Sequence, residues 1–320
     1  MNVRHHARRM LGVACVASAL LWSATGPAHT EESGMAAANK KVVEAIYEEV
    51  LNGRNMDAAG KFLAEELLEA VAKEVSDLTG ALPDANFRIV GLVAEGDRVA
   101  LLGELTGTHT EPGWGMPATG KPVNMRYADV YRFDGGKVAE AWHVVNSLRA
   151  MQQLGVIPGA DGADPAAPPV EAGPAIRGDS ESTEALKAVV RRAIEDVSGK
   201  GDASAVDELY SPEYVFHDPD TTESVGLEGV KERMGTIHSI SSNALITVED
   251  MVAEGHLVAV RWSMSGTHNG SGLMGIPATG QDFWGDIISF YRIADGKIVE
   301  GWMVVDALAM MEQLGIMPGE

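Results

Sequence analysis

The sequence predicts an α+β fold that is built twice. Residues 117–159 align with 277–319 without a gap at an offset of 160, and 19 of those 43 positions are identical. Each half also places its helices first and a long antiparallel meander after them, the order of an α+β domain. A repeat of this length exceeds the roughly 20–50 residues of a solenoid unit. Two homologous globular domains in tandem therefore fit, and 320 residues is a length for about two domains.

In chain order, Arg4, His5, His6, Arg8 and Arg9 form a basic start, followed by the apolar run Met10–Trp22 and by small residues to Gly26-Pro27-Ala28. This is the pattern of a secretory signal peptide over residues 1–28. The run is shorter than the roughly 20 residues of a membrane span, and no other such segment follows, so an exported protein, periplasmic or secreted, with no integral membrane span is expected. The single cysteine, Cys15, lies inside the run. Cleavage near Ala28 would leave a mature chain without disulfides or thiol chemistry. The first domain is expected over 38–160. Residues 161–180, rich in Pro, Ala, Gly and Asp without apolar periodicity, read as a linker.

The second domain, 181–320, opens with a helix carrying Ala185, Leu186, Val189, Val190, Ala193, Ile194 and Val197 at helical spacing. Ser198–Asp202 ends it, and a short helix over Ala205–Tyr210 stops at Ser211-Pro212. Tyr214–His217 is an edge strand running into Asp218-Pro219, and Leu227–Ile237 is a third helix. Strands follow over Ile246–Ala253, His256–Gly266, Phe283–Tyr291 and Lys297–Val305, and Asp306–Leu314 closes the domain as a helix. In the first domain, Phe62–Pro83 is expected to replace the edge strand, its loop and the third helix with a shorter charged helix.

A net charge of −21, from 46 Asp and Glu against 25 Lys and Arg, argues against nucleic acid or an anionic membrane surface as partner. No His, Cys, Asp and Glu spacing matches a metal site. Gly266–Gly280 lacks the strand-to-helix context of a phosphate loop, so neither metal nor cofactor is expected.

Alternation places Val258, Val260, Trp262 and Met264 on one face of their strand. Asp286, Ile288 and Phe290 share a face on the next, and Ile298, Glu300, Trp302, Val304 and Asp306 on the last. Carboxylates on a mostly apolar face are costly unless paired, exposed or used. Asp306 also immediately precedes a helix, where Asp and Asn cap equally well; its partner in the first copy is Asn146, and that of Asp286 is Arg126. Both readings of Asp306, base and cap, stay open. His268 and His109 each follow Gly-Thr in a hairpin, a position that suits a turn as well as a ligand contact.

His217-Asp218-Pro219, Gly266-Thr267-His268, Gly275–Gly280, the run Asp295–Asp306 and Gln313–Gly315 together resemble the SnoaL-like polyketide cyclase, or ester cyclase, family. This family belongs to the superfamily of nuclear transport factor two and ketosteroid isomerase. The resemblance implies cone-shaped curved-sheet barrels with helices packed on the concave face, around a pocket for a small hydrophobic molecule. It also implies pairing through the sheets, as an intramolecular pseudo-dimer or a homodimer. It implies cofactor-free acid–base ring closure on a carbonyl compound, with Asp306 as the general acid and base and His217 or Asp286 as a second group. His268, Trp262, Met264, Phe290 and Trp302 are the implied substrate contacts. On this reading the second domain is the active copy and the first a degenerate one. A non-catalytic exported binding module, with the first domain as its structural partner, is the alternative.

Overall fold

The structure, a computed structural model, describes residues 28–159, 170, 182–217, 226–271 and 276–316. Residues 1–27, which hold Cys15 and nearly all of the expected signal sequence, most of residues 161–180, Asp218-Pro219 and Gly275 lie outside the described residues.

The first domain begins with helix α1 (Ala28–Ala45), which widens into a π-helical turn over Ile46–Asn52, followed by a 3-10 turn over Met56–Lys61 and helix α2 (Glu65–Ala81). Strands β1 (Asn86–Glu95), β2 (Arg98–Thr108), β3 (Pro122–Asp134) and β4 (Lys137–Val145) form an antiparallel meander, and α3 (Ser147–Gln153) ends the domain. The second domain repeats this order with α4 (Thr183–Arg192), a π-helical turn over Ala193–Gly199, α5 (Ala203–Leu209), β5 (Tyr210–His217) and α6 (Leu227–Ile240). Strands β6 (Leu245–Glu254), β7 (Leu257–Thr267), β8 (Asp282–Ala294) and β9 (Lys297–Val305) and helix α7 (Ala307–Gln313) complete it. Its sheet has five strands in the order β5-β9-β8-β7-β6, with β5 parallel to β9.

Two expectations need correction. The third helix is present in the first domain: α2, at 17 residues, is longer than α6, at 14. What is missing is the edge strand, reduced to one parallel bridge between Leu63 and Val138 where the second domain pairs Tyr210 with Ile298. The loss of a helix therefore gives no ground for calling the first copy degenerate. The second correction concerns faces. A bulge in β9 pairs Ile293 with Ile298 but Arg292 with Glu300, so the face changes after Ile298. Ile298 packs inward with Val258, Val260, Trp262 and Met264, whereas Trp302, Val304, Ile288 and Phe290 look outward.

That outward face is apolar because the other domain covers it. Val93, Ala100, Leu102 and Val130 of the first sheet pack against Leu257, Ile288, Phe290 and Trp302 of the second in one continuous core. The two domains thus form a pseudo-dimer within the chain, sheet against sheet. Val170 from the linker is buried in the same core, and its N–H donates to the Val90 carbonyl at the β1 bulge. The hairpin tips interlock reciprocally. Glu254 accepts from the Ala94 N–H at 2.9 Å and pairs with Lys40, and Glu95 accepts from the Ala253 N–H at 3.0 Å and pairs with Lys187.

Candidate active site

The inward face of the first sheet carries a buried polar cluster. Alternation along β3 turns Tyr127, Asp129 and Tyr131 inward, and antiparallel pairing sets His143 of β4 directly opposite Asp129. Asp129 accepts three hydrogen bonds: from His143 Nδ1 at 2.6 Å, from Tyr131 Oη at 2.9 Å and from Tyr47 Oη at 3.2 Å. Tyr47 reaches it from the π-helical turn after α1. Burial raises the phenols of Tyr47 and Tyr131 well above their usual range, and the Asp129 charge pushes them further, so both stay neutral donors. Burial alone would lower His143, but the Asp129 charge and hydrogen bond, helped by Glu74 and Asp306, lift it to about 9. At neutral pH His143 is an imidazolium on a carboxylate. Its Nε2 faces Glu74 of α2 at 3.7 Å.

Tyr127 stacks beside Tyr47 and tilts against His143, with ring centroids at 6.5 and 5.7 Å, and its hydroxyl is buried. Its ring lies over Gly103, the residue opposite it in β2, where a Cβ would fall inside the phenol. Glycine is required there by space. Around the cluster, half-buried Val71, Val75 and Leu78 of α2 and Trp114 and Met116 of the β2–β3 loop pack on the core. Within this apolar surround the cluster carries one cationic donor, His143, and one carboxylate, Glu74, on the same side of the ring.

Among the described residues the second domain has no such pair on its inward face. The offset of 160 puts Ser289 at the place of Asp129 and Met303 at that of His143. Trp262 Nε1 donates to Ser289 Oγ at 3.1 Å, and Trp262, Met264 and Met303 fill or border the core.

The three catalytic candidates from the sequence, Asp306, Asp286 and His217, are not brought together. Asp306 caps α7, its Oδ1 accepting from the Ala309 N–H at 3.1 Å, and the same oxygen accepts from Ser147 Oγ of the first domain at 2.5 Å. Asp286 lies on the outward face near Arg261, at 3.4 Å; burial raises its carboxyl and Arg261 opposes the rise. Arg261 in turn sits over Trp142 of the first domain. His217 stacks on Trp302 at 4.8 Å and bonds Glu300 at 2.8 Å, on the outward side of the β5–β9 edge. Trp302 and Phe290 are interdomain core, not pocket wall. His268 is fully buried and staples its own loop, Nδ1 meeting Thr279 Oγ1 at 3.1 Å, as His109 does with Thr119. Among the described residues no group of three or more His, Cys, Asp and Glu can hold a metal, and no helix is long and apolar enough to cross a membrane.

Asp129, His143 and the three tyrosines escaped the sequence reading because residues were compared with the second copy as the reference. The readable signal was a charged pair at inward positions of adjacent strands in one copy, set against Ser and Met in the other.

Comparison with known proteins agrees with this architecture. No curated protein matches the chain. Among solved structures, IdmH of Streptomyces antibioticus is 29% identical, with 41% of this chain and 99% of that one covered and a TM-score of 0.37. TsrD of Streptomyces laurentii is 27% identical over 43% and 99%, with a TM-score of 0.39. AclR of Streptomyces galilaeus is 26% identical over 43% and 89%, also at 0.39. The profile of the SnoaL-like polyketide cyclases matches residues 41–154 and again 188–314. The chain therefore belongs to the SnoaL-like polyketide cyclase family and carries its fold twice.

Proposed function

We propose that the first domain is the active copy, and that it performs cofactor-free acid–base chemistry on a small hydrophobic carbonyl compound. The observation that carries this reading is the Asp129–His143 pair, a buried carboxylate and a half-buried imidazolium among tyrosines, with Nε2 turned toward Glu74. Asp129 holds Nδ1 and fixes the ring, as an orienting carboxylate does for a catalytic imidazole. Nε2–H then donates to the substrate carbonyl oxygen and stabilises the enolate that forms when the adjacent C–H loses its proton. Glu74, on the same side of the ring, is the carboxylate that takes this proton. In a ring closure the enolate carbon attacks a second carbonyl of the same molecule, and the resulting alkoxide recovers the proton. Nothing else is consumed. The second domain, with Ser289 and Met303 in place of the pair, serves as structural partner.

The test uses a hydrophobic β-keto ester in D2O and follows exchange of its acidic C–H by mass spectrometry. Wild type should accelerate exchange, and His143→Gln or Asp129→Asn should cut the rate by about 10²-fold or more. Wild-type exchange in either variant would refute the assignment. We also propose export, on the strength of the basic and apolar N-terminal pattern.

A further inference from the structure

The helices that lead into the two sheets carry opposite charges at one matched place. They end alike, the Leu82 N–H bonding the Leu78 carbonyl after α2 and the Ser241 N–H bonding the Ile237 carbonyl after α6. Asp84 and Asn243 then accept from the Thr108 and Thr267 N–H groups. These matches fix an offset of 159, under which Val71, Val75 and Leu78 of α2 become Val230, Met234 and Ile237 of α6. Each set packs on the core of its own domain. Glu74, which faces His143 at 3.7 Å, becomes Arg233. The half-buried side chain of Arg233 lies over the Phe216 ring, its Cζ 3.8 Å from the centroid. Phe216 belongs to β5, the strand that the first sheet lacks. It stacks on Tyr214 with centroids at 6.5 Å, and Tyr214 meets Tyr210 edge-on at 5.0 Å. A Cβ on Gly301, beside Phe216 in β9, would fall on the Tyr214 hydroxyl and against the Tyr291 ring, so two phenols share the space over this glycine.

We propose that the second domain binds a small hydrophobic carboxylate at Arg233. Among the described residues Arg233 is the arginine with neither a hydrogen bond nor an ion pair, in a chain whose Asp and Glu outnumber Lys and Arg by 46 to 25. Its contact with the face of Phe216 leaves the guanidinium N–H donors unused, and these form a planar fork that matches a carboxylate. The phenols nearby do not supply the anion. Burial raises Tyr210, Tyr214 and Tyr291, the Arg233 charge only opposes the rise, and all three stay neutral at physiological pH. Partly buried Leu227, Met234 and Ile237 of the same helix offer apolar contact to the rest of the molecule. The cation and its aromatic platform occur together in one copy and are both missing from the other, as a site particular to that copy requires. The places of Asp129 and His143 are taken by Ser289 and Met303, so the second copy holds the anion without the pair that would transform it. The proposal stands apart from the chemistry of the first domain.

The experiment is an NMR titration of the full chain with benzoate and with its neutral counterpart benzamide, at a physiological salt concentration that screens the net charge beyond about 8 Å. The Arg233 Nε–H and the backbone amides of α6 are the reporters. Benzoate should shift them saturably and bind about tenfold or more tighter than benzamide. Arg233→Met, which keeps an apolar stem on Phe216, should weaken benzoate by about tenfold or more and leave benzamide unchanged. Arg233→Lys keeps the charge but not the fork and should weaken benzoate less than Arg233→Met does. Absence of saturable benzoate shifts in wild type overturns the proposal, and so does an affinity for benzoate equal to that for benzamide or unchanged in Arg233→Met. Should Arg233→Met fail to fold, the comparison of benzoate with benzamide in wild type decides alone.

Discussion

The Asp129–His143 pair makes stability depend on pH in a stated direction. Held near 9 in the fold against 6.5 when free, the imidazole contributes about 3 kcal/mol at 1.36 kcal/mol per pH unit. Its side chain is 30% exposed, and solvent screening brings the figure to about 2 kcal/mol. Because the folded value lies above the free one, this contribution is complete below pH 6.5 and is lost as pH rises through 9. His143→Gln keeps much of the volume and removes the titration. Urea unfolding of wild type and variant across this range should therefore show a gap that is largest at about pH 6 and closes by about pH 10. With a urea dependence of about 2–3 kcal/mol per molar, the gap at low pH corresponds to a midpoint shift of about 0.7–1 M. A gap that stays constant with pH would mean that His143 is not held as an imidazolium, and the electrostatic account of the site would fail.

The other expectations are more local. Gly103→Ala drives a methyl into the Tyr127 ring and should cost about 1–3 kcal/mol of stability by thermal melting. Combined with Tyr127→Ile, the residue type the second copy has there as Ile287, it should cost less than the sum of the single changes. For export, N-terminal sequencing of protein from the cell envelope or medium should start near His29; an intact Met1 on cytoplasmic protein would refute the proposal.

Much of the fold was legible because its signals are local. Helical spacing in Leu186–Val197, the breakers at Gly199–Asp202 and the turn Asp295-Gly296 mark elements without knowledge of their neighbours. The site was less legible because alternation reports two faces without saying which one lies inward. Trp302, Phe290 and Ile288 form an apolar face, and an apolar face is read as core or pocket. Here it is apolar because a second sheet covers it. The β9 bulge adds a parity change that spacing alone cannot show. Asp306 was rightly seen as a cap candidate, but its contact with Ser147 spans 159 residues of sequence, and no periodicity carries a contact of that kind.

The interlocked hairpin tips have a consequence for how the two copies can differ. In a two-fold dimer of identical chains, every substitution appears on both sides of the interface. A charged pair buried in one interior would be buried in the other as well, and a filled interior would be filled twice. Joining the copies through the linker that carries Val170 removes that restriction while keeping the reciprocal contacts of Glu95 and Glu254. One half is then free to hold Asp129 and His143, which are costly to bury, and the other to close its interior around Trp262 and Met303 and supply rigidity. A change on either side alters one half alone, so the cost of a buried charged pair in one half can be offset by packing in the other.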